Sequence, residues 1–139
     1  VIAVDSSVVI AALLSWHELH DRAFSALEKA MTGQHLLLPT HALVESYSVM
    51  TRLPSPHRLR PEAAYEILHA SLGDARTAGF SPRKAWAFLE QCSGSAICGG
   101  RTYDALIATT AIEAGATELL TLNPRDFEPF GERISIIVP

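Results

Sequence analysis

Val1-Ile2-Ala3-Val4-Asp5-Ser6-Ser7-Val8-Val9-Ile10-Ala11-Ala12-Leu13-Leu14 is the stretch on which the fold turns. Its first four residues are apolar without alternation, the pattern of a strand covered on both faces of a parallel sheet. Asp5-Ser6-Ser7 breaks the apolar run, and Ser6 or Ser7 suits the N-cap of a helix over the apolar residues beyond. The order is strand, acid, cap, helix. Outward from there, residues 18–31 read as a second helix with Phe24, Leu27 and Met31 on one face and Gly33 as its stop. Residues 35–38 read as a second strand. Pro39-Thr40 opens a helix, with Thr40 as cap, that runs through Leu43, Tyr47 and Met50 to Leu53-Pro54-Ser55-Pro56. Pro61 restarts a helix at the position where proline is favoured, and Gly73 closes it. Residues 75–80 suggest a short edge strand. Ser81-Pro82 caps a helix carrying Ala85, Phe88 and Leu89, and residues 93–100 form a Gly/Ser-rich loop. Thr102 caps a helix through Leu106, Ile107 and Ala111 that Gly115 ends. Residues 118–122 read as a strand, 123–126 as a turn and 134–138 as a last strand. Strands alternating with helices define an α/β class with a mostly parallel sheet and helices on both faces.

The 139 residues make one domain, 1–139, with no internal repeat, linker or low-complexity tract. Hydrophobic residues at 48% are enough for a sizeable core. No apolar run approaches the roughly 20 residues of a membrane helix, and no basic segment precedes Val1, so no secretory signal is expected. Cys92 and Cys98 make no disulfide framework. A soluble, cytoplasmic protein is the expectation. A net charge of −4 argues against binding nucleic acid chiefly through a basic surface. It leaves open a nuclease, whose own site is acidic and takes up cations.

Ligands of open α/β sheets bind at the carboxyl ends of the strands. Asp5 ends the first strand there. Glu45 lies in the second turn of the helix that leaves the second strand. The helix bearing Asp104 ends in the short Ala114-Gly115-Ala116 turn into a parallel strand. It must therefore end at the amino edge and begin at the carboxyl edge, with Asp104 in its first turn. Asp126 follows the carboxyl end of the 118–122 strand. Four carboxylates thus converge on one edge, where they raise one another's pKa unless a cation stands between them. Oxygen ligands without His or Cys suit Mg²⁺ or Mn²⁺. A hard cation in an open acidic site activates water and offsets charge on a phosphate, which points to phosphodiester hydrolysis.

Together, Val4-Asp5-Ser6-Ser7, Glu45, Gly99-Gly100-Arg101-Thr102-Tyr103-Asp104-Ala105-Leu106-Ile107-Ala108 and Leu120-Thr121-Leu122-Asn123-Pro124-Arg125-Asp126-Phe127 resemble PIN-domain ribonucleases. Within that family they resemble the VapC toxins of bacterial type II VapBC toxin–antitoxin systems. The resemblance covers essentially the whole chain. It implies a single PIN-like domain with strand order 3-2-1-4-5. It also implies a Mg²⁺- or Mn²⁺-dependent endoribonuclease toxin that cuts structured RNA such as tRNA. The implied partners are a cognate VapB-like antitoxin and a second copy of the chain, in a homodimer or toxin–antitoxin hetero-oligomer. By position, Asp5, Glu45 and Asp104 match the three central acids. Asp5 and Asp104 would be metal ligands, and Glu45 would ligate or orient the attacking water. Family members carry an acid or Asn where Asn123 stands, so the fourth carboxylate is assigned to Asp126 and a hydrogen-bonding role to Asn123. Ser7 and Thr121 would hold ligand oxygens, and Arg101 would meet a phosphate.

Each acid alone has a plainer reading: a helix cap for Asp5, a solvated helix residue for Glu45, a first-turn acid for Asp104, a turn residue for Asp126. A non-catalytic PIN-like binding module is one alternative, and a phosphatase or DNA nuclease on a similar sheet is another. His17-Glu18-Leu19-His20 has the wrong spacing for a zinc helix, and Gly99-Gly100 lacks the nucleotide-binding patterns. No G-x-S-x-G elbow is present. Cys92 and Cys98 read as buried or inert. Arg52, His57, Arg58 and Arg60 form a basic cluster that either contacts RNA phosphates or is solvated loop. Trp16 and Trp86 read as core or interface residues.

Overall fold

The unbroken apolar run at the start of the chain is explained by what covers it. In the computed structural model, which describes residues 1–139, β1 (Ile2–Val4) is the central strand of five. Helices α1 (Ser6–Leu13) and α2 (His20–Thr32) lead to β2 (Leu36–Pro39). Helices α3 (Thr40–Arg52) and α4 (Pro61–Leu72) lead to β3 (Arg76–Ala78). A short 3-10 turn (Pro82–Lys84), α5 (Ala85–Gly94) and α6 (Arg101–Glu113) then cross to β4 (Glu118–Leu120), and a 3-10 helix (Pro124–Phe130) precedes β5 (Ser135–Ile137). The sheet order is β3-β2-β1-β4-β5 and every pairing is parallel, so the sheet is wholly rather than mostly parallel.

Two cores follow from the strand pleat, which sends successive side chains to opposite faces. Val4, Leu36, Leu38 and Leu120 join α1, α2 and α4 in one cluster of 16 buried residues. Ala3, Leu37 and Leu119 join α6, Phe88, Phe127 and Phe130 in a second cluster of 14. Strand order reverses between β1 and β4, which pair in register as Ala3↔Leu119 and Val4↔Leu120. The carboxyl ends of these two strands therefore bound the crevice where such sheets place ligands. No helix is long and apolar enough to cross a membrane.

Several local expectations are corrected. The cap of α1 is Asp5 itself, with extended backbone and a side chain that accepts from Ser6 N, not Ser6 or Ser7. Thr40 does not cap α3: its hydroxyl donates to the Ala78 carbonyl at 3.0 Å, tying the helix to β3. Thr102 lies within α6, whose N-cap is Gly100. The buried stripe of α2 is Ala23, Leu27 and Ala30, and Phe24 is exposed. Residues 123–126 open a 3-10 helix rather than a simple turn. Trp86 is 84% exposed and belongs to no core, while Trp16 stacks on His57 with ring centroids 4.0 Å apart. Cys92 is buried, but Cys98 is exposed.

Candidate active site

Asp5 leaves the sheet immediately after β1, and its N–H donates to the Leu120 carbonyl at 2.9 Å, continuing the ladder to β4. Its carboxylate is 4% exposed at the residue level and is held by hydroxyls. Oδ1 accepts from Ser6 N at 2.8 Å. Oδ2 accepts from Ser7 Oγ at 2.7 Å and from Thr121 Oγ1 at 3.0 Å. The same two hydroxyls lock the segment after β4: Ser7 Oγ accepts from Leu122 N and Thr121 Oγ1 accepts from Asn123 N, each at 3.0 Å. Asp5 thus caps a helix and is also fixed rigidly at the crevice. The Ser6 hydroxyl adds a longer contact to Oδ1 at 3.4 Å, so both carboxylate oxygens are held from the protein side.

Glu45 sits in α3, and its Oε2 is buried with no hydrogen-bond partner. His41 Nε2, one turn earlier, lies 3.6 Å from it. Asp104 sits in the first turn of α6. Its carboxyl is pushed up to about 6, first by burial and then by the negative charges of Asp126, Asp5 and Glu45, with the Arg101 guanidinium opposing. The four acids therefore share one electrostatic environment. Asp126 is presented from the 3-10 helix that Phe127 and Phe130 anchor in the core, and its Oδ1 lies 3.6 Å from the Arg101 guanidinium. Asn123 is exposed, and its backbone N–H is the part engaged with the site.

No three His, Cys, Asp or Glu side chains stand close enough to hold a metal ion as a ready cage. The chemistry of the donors still fits a hard cation. They are all oxygens, one carboxyl resists ionisation through burial and then the charges of the others, and one buried carboxylate oxygen lacks any donor. A divalent ion would relieve both conditions.

Two bordering residues were not singled out from the sequence. His41 stacks on Tyr103 with parallel rings and centroids 5.0 Å apart. The available signals were local: His41 is one helical turn before Glu45, and Tyr103 adjoins Asp104. The basic cluster falls elsewhere. α3 leaves the carboxyl end of β2 and runs 13 residues, about 20 Å, before the 53–60 turn. There Arg58 Nε donates to the Leu53 carbonyl at 2.8 Å, and Arg60 lies 3.9 Å from Glu62.

The sheet order and the acids at its switch point agree with one class of protein, and the chain belongs to it: a sequence model of the PIN domain matches residues 2–131, so this is a PIN-domain protein. Over 140 aligned residues it is 41% identical to ribonuclease VapC40 of Mycobacterium tuberculosis, covering 99% of this chain and 96% of that one. It is 35% identical to ribonuclease VapC27 of the same organism over 142 residues, covering 99% and 94%. Among solved structures, DNA-bound VapBC from Salmonella typhimurium matches with a TM-score of 0.69 at 17% identity, covering 99% and 96%. Mycobacterium tuberculosis VapC20, a sarcin–ricin loop cleaving toxin, matches with a TM-score of 0.65 at 16% identity, covering 86% and 87%. The two solved structures bear on fold alone.

Proposed function

We propose that this chain is a metal-dependent endoribonuclease that acts as the toxin of a toxin–antitoxin pair. The observation that carries the reading is Asp5, held by Ser7 and Thr121 at the sheet's switch point, with Asp104 near enough to feel its charge and those of Asp126 and Glu45. The full-length similarity to two ribonucleases supports the activity. Asp5 and Asp104 would hold Mg²⁺ or Mn²⁺. When bound, that ion lowers the pKa of water and offsets phosphate charge. Ser7 and Thr121 keep the Asp5 carboxylate fixed. Glu45 orients the attacking water and takes its proton, and Arg101 meets the substrate phosphate. Water attacks phosphorus as the bond to the 3′ oxygen breaks, leaving a 3′-hydroxyl and a 5′-phosphate, with the 2′-hydroxyl uninvolved.

The full-length similarity to two VapC ribonucleases supports placing the chain in a toxin–antitoxin pair, with an antitoxin as its partner. An acidic site that accepts Mg²⁺ also suits a guanidinium, so an antitoxin Arg inserted among the four acids would displace the ion. Between α3 and α4 lies an apolar cleft of about 330 Å³, lined by Leu43, Val44, Tyr47, Tyr65 and Leu68. It offers an ordering segment the buried area it needs. The test is incubation of the protein with total RNA, with and without Mg²⁺, and sequencing of new 5′ ends. Cleavage that needs the ion and is lost in Asp5→Asn supports the reading. Products ending in a 2′,3′-cyclic phosphate, or cleavage unaffected by chelator, overturn it.

A further inference from the structure

We propose that Tyr103, backed by His41, is a stacking platform for one unpaired nucleobase beside the scissile phosphate. The inference rests on the ribonuclease reading and narrows its substrate to RNA that is single-stranded, or has a base turned out, at the cut. Tyr103 and Asp104 are neighbours in the first turn of α6, and Tyr103 reaches the border of the site through its stack on His41. His41 lies across from it on α3, 3.6 Å from the Glu45 carboxylate. The two rings are parallel, with centroids 5.0 Å apart. Stacking fixes the tyrosine ring, yet Tyr103 remains 55% exposed. One side of the ring borders an apolar cleft with Phe80, Phe88 and Leu89, and more than half of its surface stays open to solvent.

The charge balance adds a second argument. At −4 overall, with four carboxylates at the crevice, the metal-free edge is unfavourable for RNA phosphates. Its local cation is Arg101, in the same helical turn as Tyr103, with a side chain 58% exposed. Contacts indifferent to charge add affinity at such an edge, and base stacking is one of them. A paired base inside an A-form helix presents no free face, whereas an unpaired one does. Arg101 on the phosphate and Tyr103 on the adjoining base would fix the strand across Asp104 at two points. Stacking is tolerant of base identity, so the platform selects for an unpaired position more than for a sequence.

The experiment begins from a cut mapped in total RNA. A short RNA spanning that cut is made with a single abasic nucleotide at each position flanking it. Wild type, Tyr103→Ala and Tyr103→Phe are compared. The expectation is that Tyr103→Ala raises KM about tenfold or more with kcat nearly unchanged, and that Tyr103→Phe behaves as wild type. One abasic position should cost wild type a similar factor and cost Tyr103→Ala nothing further. As a readout independent of catalysis, 2-aminopurine at that position should lose fluorescence on binding Asp5→Asn protein. It should keep its fluorescence on binding the Asp5→Asn, Tyr103→Ala double variant. Abasic substitutions that cost wild type and Tyr103→Ala equally, or a Phe variant as impaired as Ala, overturn the platform and leave the ribonuclease reading standing. No metal-dependent cut in total RNA overturns both.

Discussion

Asp104 is held against its own ionisation, and the direction of that shift makes a statement about stability. An unfolded chain titrates this carboxyl at 3.8 and the folded chain near 6. Below about pH 4 it is protonated in both states. As pH rises to about 6 the folded chain keeps a proton the unfolded chain has lost, so stability falls across that window and the penalty is complete above it. Because the side chain is only half-buried, solvent screening reduces the cost to the order of 1 kcal/mol. Asp104→Asn should therefore raise the urea midpoint of metal-free protein at pH 7.5, and the gain should vanish near pH 4. An Asn variant less stable than wild type in chelator at pH 7.5 would contradict the repulsion. The same variant should lack cleavage activity. Thr121 is the opposite case, a buried hydroxyl that serves two partners at once. Thr121→Val keeps the shape but leaves Asn123 N–H and Asp5 Oδ2 short of a partner. It should cost about 1–3 kcal/mol and lower activity about 10- to 100-fold, partly recovered at higher Mg²⁺. Full activity at ordinary Mg²⁺ would show that Asp5 does not need that hydroxyl. The positions of the four acids were legible because each follows directly from a strand end or a helix start. The aromatic neighbours were not, since the meeting of His41 with Tyr103 depends on how α3 approaches α6.

The elements were legible where one feature of sequence had one structural solution. Pro61 stands at the first position of α4, and Gly33 and Gly73 end α2 and α4. The caps were less legible because several hydroxyls competed for few roles. Thr40 is adjacent to a helix start but spends its hydroxyl on Ala78, a residue 38 positions away that no local rule anticipates. Asp5 outcompetes Ser6 and Ser7 because the residue with extended backbone at the strand end is already in the capping conformation. The exposure of Phe24 shows that a helical stripe identifies a face only to within one residue when Ala neighbours fill the contact. One glycine carries topology. Gly115 has φ +90°, and with it the chain turns from α6 into β4, which fixes α6 with Asp104 at the carboxyl edge. A Cβ there meets no atom, so the cost of Gly115→Ala is backbone strain alone, about 1–2 kcal/mol. Its urea midpoint should fall while the remaining folded protein cleaves normally. A neutral substitution would mean the turn readily takes another conformation.

At the scale of the molecule, the four candidate acids and the basic cluster of the 52–60 turn stand at different places along α3. The four acids lie where strands finish, while Arg52 ends α3 about 10 Å along its axis from Glu45, and Arg58 and Arg60 follow in the next turn. The sequence shows both groups but not their separation, because a cluster within one loop carries no sign of which sheet edge it occupies. That follows only once α3 is known to leave β2 at the carboxyl edge and run its full 13 residues. The distance exceeds the roughly 8 Å over which exposed charges act at physiological salt. The cluster is also partly committed, since Arg58 closes its own turn on Leu53 and Arg60 faces Glu62. A short RNA bound across the acids would be held by contacts at that edge alone. Neutralising Arg52 and Arg60 together as Gln should therefore leave kcat/KM on a short RNA within about twofold, whereas Arg101→Gln should lower it substantially. Arg101→Gln also removes the one cation acting on Asp104, so its effect should combine weaker substrate binding with a further upward shift of that carboxyl. The comparison is best made as a function of salt. A loss of salt sensitivity in the Arg52/Arg60 double variant would show that substrate reaches the far edge, and the separation of charges would then serve a longer RNA path over α3.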